Sequence, residues 1–349
     1  MQQETIYVLH KNGAKSHYIG LDYLLNQNNI KLKHREFSVA GKIFKALIGL
    51  NLSLLKKQFI NCWFLFVLRF SKNKRIVFGI APFDSRLIKL SKILKNHKIF
   101  YHTSWTFWDK TFHPKNPDNS TEVFETWRKF IEDQAIHIFA VTNQTKKQLL
   151  ANYSIPDKKV SVVYHSLDSA FVTKFNSKRV SKSFIYLGRL VPQKGIEEIL
   201  NYFLKNQHLK LTIVGKGKLD NIVKKYCANS SNIVYKPYTE NKTELAEIMS
   251  KHEYVLMNSM RTNKWEELFG MTIIEGMAQG VVPIATNHSG PKEIIGNDTG
   301  YLFEEGKLES TLNSIIEKSF DSEKSKNARK KALYYLQQNI SSYWQPILE

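Results

Sequence analysis

The feature of this sequence that most restricts its fold is a regular alternation between short β-type runs and longer amphipathic stretches. Eleven short runs rich in β-branched and aromatic residues recur along the chain, and helical patterns separate most of them. These runs span residues 5–9, 30–37, 75–81, 98–102, 136–141, 160–164, 184–187, 211–214, 233–236, 254–258 and 282–285. Such alternation is typical of parallel sheets covered by helices on both faces. The pattern therefore predicts an α/β fold.

A polar stretch interrupts the alternation near the middle of the chain. The pattern stops at residues 171–183, which are predicted to form a linker, and then restarts. With 349 residues the chain has the length of two domains. We expect two doubly wound, Rossmann-like domains facing a cleft, an N-terminal one over residues 1–170 and a C-terminal one over residues 184–325. Ligands of such sheets bind at the carboxyl ends of the strands, so the loops after strands are the places to search.

Positive charge is concentrated in the first part of the chain. The formal net charge is +20, of which residues 1–100 contribute +14 and residues 169–349 only +6. Residues 42–75 contain eight basic side chains and no acidic one, interleaved with apolar and aromatic residues. This mixture suits an anionic membrane surface. Phosphate contacts to nucleic acid would use the same charges, and ordinary helices also expose lysines while burying an apolar face. Because no nucleic-acid-binding module is recognisable, we expect residues 42–75 to contact a membrane surface and not nucleic acid.

Cysteine content and hydropathy argue against several other classes of protein. Cys62 and Cys227 are the two cysteines, and neither lies at metal-site spacing, so a disulfide framework and a zinc site are not expected. The sequence has no run of about 18 apolar residues, which argues against a spanning helix. Its first residues lack the basic and apolar regions of a secretory signal. These features predict a cytoplasmic location.

Loops after strands in the second half carry residues suited to an anionic, hydroxylated ligand. Gly188 permits a tight exit from a strand, and Arg189 and Lys194 then place two cations near a helix start, a good arrangement for a diphosphate. Glu267 and Glu275 lie before and within another helix, where two carboxylates can hold several hydroxyls of one ligand. Surface cations on an ordinary loop, and a paired structural carboxylate in an apolar helix, are the alternative interpretations.

Two weaker signals lie at other strand ends. Gly215 belongs to a Gly-x-Gly turn that lacks the third glycine of a dinucleotide-binding loop, so a plain strand-to-helix turn is the slightly favoured interpretation. His102 ends a strand and leads into an aromatic loop that contains Trp105 and Trp108. A histidine at this place can act in a cleft, although a lone histidine is more often structural. The aromatic faces suit sugar rings or lipid edges, or they form a small satellite core.

Taken in order, these motifs resemble the retaining glycosyltransferases of family 4, which have the GT-B fold. The matching motifs are G-R-L-x-x-x-K-G from Gly188, E-x7-E formed by Glu267 and Glu275, and S-G-P-K-E from Ser289. The resemblance is dense over residues 184–305 and looser before them. It implies a GT-B fold in which the last residues, 326–349, form a helix that packs back on the first domain.

The resemblance also implies roles for individual residues. Arg189 and Lys194 would neutralise the diphosphate of a nucleotide-sugar donor. Glu275 would bind the ribose hydroxyls, and Glu267 the hydroxyls of the transferred sugar. The catalytic set is predicted to be His102, Arg189, Lys194 and Glu267. The donor-binding set adds loop glycines, a loop along the base and a helix start: Gly13, Gly188, Gly215, Lys236, Pro237, Leu268, Phe269, Gly270, Met271 and Glu275. The acceptor contacts are predicted at Lys15, His17, Trp105 and Trp108.

The implied activity is retaining transfer of a hexose-type sugar from a UDP- or GDP-sugar. The acceptor would be a glycan or lipid-linked glycan of a bacterial surface polysaccharide, namely lipopolysaccharide, O-antigen or capsule, and the enzyme would lie on the inner face of the plasma membrane. No D-x-D pair occurs to chelate a metal on the diphosphate, so we expect a metal-independent enzyme without a cofactor. The alternatives are a sugar-nucleotide epimerase or hydrolase of the same fold and a basic nucleic-acid-binding protein.

Overall fold

The chain consists of two compact units, each built on one parallel β-sheet. The structure, a computed structural model, describes residues 3–111, 120–172, 178–263 and 265–349. Contacts between residues assign 1–166 and 338–349 to the first unit and 167–337 to the second. Each unit contains a sheet of six strands. The expected α/β architecture with two doubly wound sheets is therefore confirmed.

The first sheet has the strand order β2-β1-β3-β4-β5-β6, and all of its neighbouring strands pair in parallel. Its strands are β1 (Thr5–His10), β2 (Lys31–Glu36), β3 (Arg75–Gly79), β4 (Lys98–Thr103), β5 (Ala135–Ala140) and β6 (Val160–Val162). The helices are α1 (Ile19–Gln27), α2 (Ala40–Ile48), α3 (Leu52–Phe70), α4 (Leu87–Leu94), α5 (Thr121–Lys129) and α6 (Asn143–Asn152). The strand order reverses between β1 and β3, so a crevice forms at their carboxyl ends.

The second sheet has the order β12-β11-β10-β7-β8-β9, again with parallel neighbours. Its strands are β7 (Ser183–Arg189), β8 (Lys210–Lys216), β9 (Ile233–Pro237), β10 (Tyr254–Met257), β11 (Val282–Thr286) and β12 (Tyr301–Phe303). The helices are α7 (Ile196–Lys205), α8 (Asp220–Ala228), α9 (Lys242–Ser250), α10 (Met271–Ala278), α11 (Ser289–Ile294), α12 (Leu308–Ile316) and α13 (Ser322–Leu333). All residues of β10 and β11 are buried, as expected for central strands covered on both faces. The order reverses between β7 and β10.

The end of the chain differs from the single helix expected over 326–349. Helix α13 contacts α10 within the second unit, and the chain then pairs Leu336 with Leu167 in an isolated bridge. A short helix α14 (Gln337–Ile340) and a 3-10 helix (Ser341–Ile347) follow. Because the bridge interrupts the helical hydrogen bonding, the segment forms three short pieces, and residues 338–349 group with the first unit.

Two other boundaries differ from the sequence prediction. The units separate between residues 166 and 167, before the predicted linker at 171–183, because a 3-10 helix over Ser169–Phe171 already belongs to the second unit. Within that predicted linker, residues 173–177 lie outside the described part of the chain. Strand β12 was not predicted, since its three residues are too short for a periodic pattern.

Candidate functional site

A cavity of about 410 Å³ lies at the carboxyl edge of the second sheet. Gly188 and Arg189 at the end of β7, Lys216 at the end of β8 and Glu275 in α10 line it. Its other lining residues are Leu187, Tyr238, Glu240, Lys242, Leu245 and Thr272. The reversal of strand order between β7 and β10 places a ligand crevice at this edge. The structure thus brings three of the predicted donor-site residues, Gly188, Arg189 and Glu275, into one cavity.

Cations dominate the wall of this cavity. The exposed Arg189 and Lys216 are register partners at the ends of the paired strands β7 and β8. Lys242 adds a third positive charge at the start of α9. Clustered cations at a sheet edge are suited to a phosphorylated ligand. Lys216 and Lys242 were missed by sequence reasoning, although Lys216 is the middle residue of the Gly-x-Gly turn that drew attention to Gly215.

Glu275 is the buried acid of the cavity. Its side chain is 9% exposed, and Lys242 Nζ lies 3.5 Å from its Oε1. Burial raises the pKa of Glu275, and the charge of Lys242 opposes that rise. A buried carboxylate with one weak ion-pair partner retains acceptor capacity for hydroxyl donors. The arrangement therefore suits the binding of a sugar diol.

Lys194 and Glu267 form an ion pair that does not belong to the cavity wall. The ammonium of Lys194 binds the Glu267 carboxylate and also lies 4.9 Å from the ring centroid of Trp265. Ser259 Oγ donates to Glu267 Oε2 at 3.3 Å. The two residues follow β7 and β10, which are neighbours in the sheet, so they share its carboxyl edge. In this structure the cation predicted for the diphosphate is neutralised by the carboxylate predicted for the sugar.

A buried network fixes the loop that carries Glu267. The backbone N–H of Glu267 donates to His288 Nδ1 at 3.0 Å, and His288 Nε2 lies 2.9 Å from Glu305 Oε1. Because Nδ1 accepts, the proton of the neutral ring is on Nε2 and is donated to Glu305. The neighbouring carboxylate of Glu266 is buried and accepts from Arg261 and from Ser289 Oγ. The contacts of Glu267 with His288 and of Glu266 with Ser289 were not predicted, because they join segments more than 20 positions apart in sequence.

Two glycines permit close backbone approaches around this edge. Gly195, which begins α7, has φ of +60°, and a Cβ there would lie 2.2 Å from the carbonyl oxygen of Asn258. At Gly290 a Cβ would lie 2.2 Å from the backbone nitrogen of Phe269. The glycine of the S-G-P-K-E motif therefore lets α11 pack directly on the loop between Glu267 and α10.

The remaining residues predicted for the donor site are spread along the same edge. Lys236 and Pro237, at the end of β9, are exposed and do not line the cavity, whereas Tyr238 does. Lys216 Nζ lies 4.8 Å from the centroid of the Tyr238 ring. Gly215 is buried within β8. The predicted helix-start residues are partly or fully buried, with Gly270 as the N-cap of α10: Leu268, Phe269, Gly270 and Met271. The ring of Phe269 packs on Tyr335, so its side chain belongs to the core.

His102 ends β4 in the first unit and is buried among aromatic rings. Its ring lies 5.0 Å from Tyr18, 5.2 Å from Trp344 and 5.9 Å from His165, measured between centroids. Burial holds the pKa of His102 well below its usual value, so the ring is neutral. Its Nε2 has no hydrogen-bond partner among the residues that the structure describes. Buried polar atoms are nearly always paired, so this nitrogen is suited to a ligand group.

The other first-unit residues predicted for the site differ in exposure. Gly13 is buried in the loop after β1, with φ of +85°, whereas Lys15 and His17 are exposed. The burial of Trp105 and Trp108 disagrees with their predicted role as acceptor contacts. They are 4% and 1% exposed, and the indole of Trp108 donates to the Trp105 carbonyl at 2.9 Å. These rings fill the core of the first unit and present no open face to a sugar.

The described residues contain no cluster of three or more His, Cys, Asp or Glu side chains arranged to hold a metal ion. Within 3–111, 120–172, 178–263 and 265–349, no helix is both long and apolar enough to cross a membrane.

Comparison with known proteins finds sequence similarity over about half of the chain and structural similarity over nearly all of it. Residues 170–333 match the family model described as "Glycosyl transferases group 1". An uncharacterized glycosyltransferase of Methanocaldococcus jannaschii is 23% identical over 189 residues, which cover 49% of this chain and 47% of the relative. The capsular polysaccharide biosynthesis glycosyltransferase CapM of Staphylococcus aureus is 23% identical over 203 residues, covering 52% of this chain and 51% of CapM. The chain thus aligns with about half the length of these curated relatives.

The fold is similar over nearly the whole chain to that of a solved structure, HepE from Anabaena in complex with UDP. The alignment covers 99% of both chains with a TM-score of 0.69 and 13% sequence identity. At this identity the likeness concerns the fold alone. The chain therefore has the GT-B fold of glycosyltransferases, and its residues 170–333, within the second unit, match the group 1 glycosyl transferase family.

Proposed function

We propose that this chain is a retaining glycosyltransferase of family 4 that transfers a hexose-type sugar from a nucleotide-sugar donor. The observation that carries the proposal is the cavity of the second unit, which Arg189, Lys216 and Glu275 line together. The cations suit a diphosphate, and the buried carboxylate suits ribose hydroxyls. The match of residues 170–333 to group 1 glycosyl transferases supports the same activity. UDP-sugars and GDP-sugars are the proposed donors, and the complex of HepE with UDP supports the first of these.

Stabilisation of the leaving diphosphate is the chemical task that these residues suit best. Negative charge grows on the diphosphate as the glycosidic bond breaks, and fixed cations stabilise that charge without reorganisation. We assign this role to Arg189 and Lys216 on the cavity wall and to the amides at the start of α10. The acceptor hydroxyl attacks from the face of the leaving group and transfers its proton to the departing phosphate. The proposal needs no metal ion, and full activity in the presence of EDTA is its test.

Lys194 and Glu267 act as a pair in this proposal. Glu267 binds hydroxyls of the transferred sugar, and Lys194 provides a cation that the donor diphosphate can share with Glu267. His102 is proposed to bind a sugar hydroxyl through its unpartnered Nε2, as a neutral hydrogen-bonding group.

The acceptor is proposed to be a glycan or a lipid-linked glycan of a bacterial surface polysaccharide. CapM, a relative named for capsular polysaccharide biosynthesis, supports this class. A lipid-linked acceptor requires the enzyme to work at the inner face of the plasma membrane as a peripheral protein. The basic residues 42–75 support that location, because anionic lipids attract such segments.

A donor screen followed by a transfer assay tests the activity. UDP-, GDP- and ADP-sugars are added to the chain, and the shift in Tm identifies the nucleotide that binds. The best donor is then incubated with candidate glycan acceptors, and the anomeric configuration of the product is read by NMR. A new glycosidic bond with retained configuration supports the proposal. Release of free sugar or of an epimer without transfer would instead support a hydrolase or an epimerase.

A further inference from the structure

Helices α2 and α3 form a helical hairpin whose exposed face is apolar. In α3 the buried positions include the polar Gln58 and Asn61, while large apolar side chains point to solvent. The exposed apolar residues of α3 are Leu52, Phe59, Ile60, Trp63, Phe66 and Phe70. Most of them recur at helical spacing and so form one stripe along the helix. We call this stripe, together with the exposed Phe44, Leu47, Ile48 and Leu50, the apolar edge of the hairpin.

The apolar edge is exposed to a degree unusual for a folded protein. Trp63 is 67% exposed, Phe70 is 70% and Leu50, at the turn between the helices, is 87%. The other five tryptophans of the chain are buried or half-buried, in contrast to Trp63. Leu50 also has φ of +47°, a conformation that a leucine adopts only when the surroundings impose it. A contiguous exposed apolar patch of this kind marks an interaction surface.

The buried face of the hairpin already has partners in the first unit. Glu36, at the end of β2, is 3% exposed and binds Lys42 Nζ at 2.9 Å and Lys57 Nζ at 2.6 Å. Gln58 Nε2 donates to the same carboxylate at 3.1 Å, and Asn61 accepts from the backbone N–H of Glu36. This network anchors both helices to the sheet. Lys42 and Lys57 therefore have a structural role in these ion pairs with Glu36.

Four other cations border the apolar edge. Lys45, Lys56, Arg69 and Lys72 are exposed and have no ion-pair partner among the residues that the structure describes. No acidic residue occurs between positions 42 and 75. Cations beside apolar and aromatic side chains, without any acid, match the surface of an anionic bilayer, which presents phosphates above hydrocarbon.

We propose that the apolar edge of the α2–α3 hairpin inserts into the interface of an anionic lipid bilayer, with Lys45, Lys56, Arg69 and Lys72 at the headgroups. The helices lie in the plane of the interface, because neither meets the length and hydropathy of a spanning helix. Leu50 at the turn enters the acyl boundary, and the Glu36 network holds the hairpin in the orientation that presents it. This inference rests on the peripheral location proposed above and does not depend on sugar transfer.

Vesicle binding tests the inference, since it needs no donor, acceptor or turnover. The purified chain is mixed with vesicles of phosphatidylcholine, alone or in equal mixture with phosphatidylglycerol, and the bound fraction is measured by sedimentation. We expect binding to the anionic vesicles that falls with added salt. The double variant Trp63→Ser/Phe66→Ser should lower the partition coefficient by at least about tenfold, since burial of one large apolar side chain is worth roughly that factor. The matched control Leu204→Ser/Val234→Ser removes exposed apolar residues of the second unit and should bind as the wild type does.

A second pair of variants, measured in the same vesicle assay, tests the contribution of the cations to binding. Lys56→Glu/Arg69→Glu should abolish binding to the anionic vesicles, whereas Lys205→Glu/Lys210→Glu, which reverses two exposed lysines of the second unit, should change it little. Tm values equal to that of the wild type establish that each variant is folded.

Fluorescence distinguishes insertion from surface adsorption. Trp63 emission should shift to the blue on vesicle addition, and the shift should vanish in Trp63→Phe while sedimentation with vesicles persists. Unchanged binding of Trp63→Ser/Phe66→Ser would overturn the inference. The inference would also be overturned if the chain formed a homodimer that does not bind vesicles and if Trp63→Ser/Phe66→Ser dissociated that dimer. The apolar edge would then be a subunit interface.

Discussion

His288 accepts a hydrogen bond at Nδ1 from the backbone N–H of Glu267, over 3.0 Å, while its other ring nitrogen lies 2.9 Å from Glu305. The imidazole is 1% exposed, and burial lowers its pKa from the usual value. A neutral ring is required, because protonation at Nδ1 would direct a second N–H at the amide of Glu267. The position of the carboxylate proposed to bind the transferred sugar thus depends on a histidine from another loop.

Replacement of His288 tests this dependence. His288→Leu removes the acceptor and leaves the N–H of Glu267 buried without a partner, at a cost of about 1–3 kcal/mol in stability or loop position. We expect kcat to fall at least tenfold with a smaller change in nucleotide affinity. His288→Asn, which keeps a side-chain oxygen acceptor, should recover part of kcat. Equal kinetics of the two variants would contradict the positioning role. Because this role requires a neutral His288 ring, the activity of the wild type should decline only on the acid side of its pH profile.

Arg189 provides the clearest test of leaving-group stabilisation. It is exposed, lies on the cavity wall and makes no ion pair within the described parts of the chain. Arg189→Ala should therefore lower kcat by about 10²–10³ or more, the loss typical of a fixed electrostatic group, while leaving Tm near that of the wild type. Arg128→Ala, at an exposed position of the first unit, is the matched control. Turnover of Arg189→Ala close to that of the wild type would rule out this role.

Glu275 is predicted to act in binding. Its carboxylate is buried beside Lys242 on the cavity wall, where it can accept from a ribose diol. Glu275→Ala should raise the Kd for the nucleotide by about tenfold or more, because charge-assisted hydrogen bonds are worth roughly 1.5–3 kcal/mol. Calorimetric titration with the nucleotide alone measures this change. Glu309→Ala removes an exposed carboxylate of α12 and should leave Kd unchanged. An unaltered Kd in the Glu275 variant would refute the assignment.

The sequence predicted the parallel sheets and three residues of the cavity because both depend on local signals. Gly188 and Arg189 end a strand and Glu275 lies in a helix that follows another strand, so their placement at the sheet edge follows from periodicity. Lys216 and Lys242 were missed because a single surface lysine carries no pattern of its own, even where, as at Lys216, it lies in a Gly-x-Gly turn. Trp105 and Trp108 were misassigned because a sequence does not reveal which aromatic rings tertiary packing buries. The Glu36 network and the His288 contact join distant segments, and such contacts become visible only in the folded chain.

The close approach at Gly290 predicts a sharp difference between two glycine variants. A Cβ at Gly290 would lie 2.2–2.4 Å from backbone atoms of Phe269, so Gly290→Ala must displace the loop between Glu267 and α10. We expect a loss of about 1–3 kcal/mol in the free energy of unfolding and a decrease in kcat. Gly41 lies in α2 with open space around its Cα, and Gly41→Ala should be neutral or slightly stabilising. Urea unfolding of both variants measures the difference, and equal stabilities would contradict the packing argument.

The histidines predict that the protein loses stability on mild acidification. Burial lowers the pKa of eight of them, to about 4 for His10 and His137. The others are His34, His97, His102, His165, His252 and His288. An unfolded chain protonates its histidines near pH 6.5, whereas the folded chain resists protonation to a lower pH. The unfolded state therefore binds more protons between about pH 6.5 and 4, and stability falls as the pH is lowered through this range.

Scanning calorimetry from neutral pH down to about pH 4.5 measures this loss. Each 1 kcal/mol should lower Tm by roughly 2–4 °C, as expected for units of this size. His137→Gln removes a histidine whose pKa burial lowers to about 4. Its amide can still bond to Ser161 Oγ, which lies 2.8 Å from His137 Nε2 in the wild type. Its Tm should therefore depend less steeply on pH than that of the wild type. His208→Gln, at an exposed position, is the control, and a flattening of the same size there would show that buried histidines are not the cause.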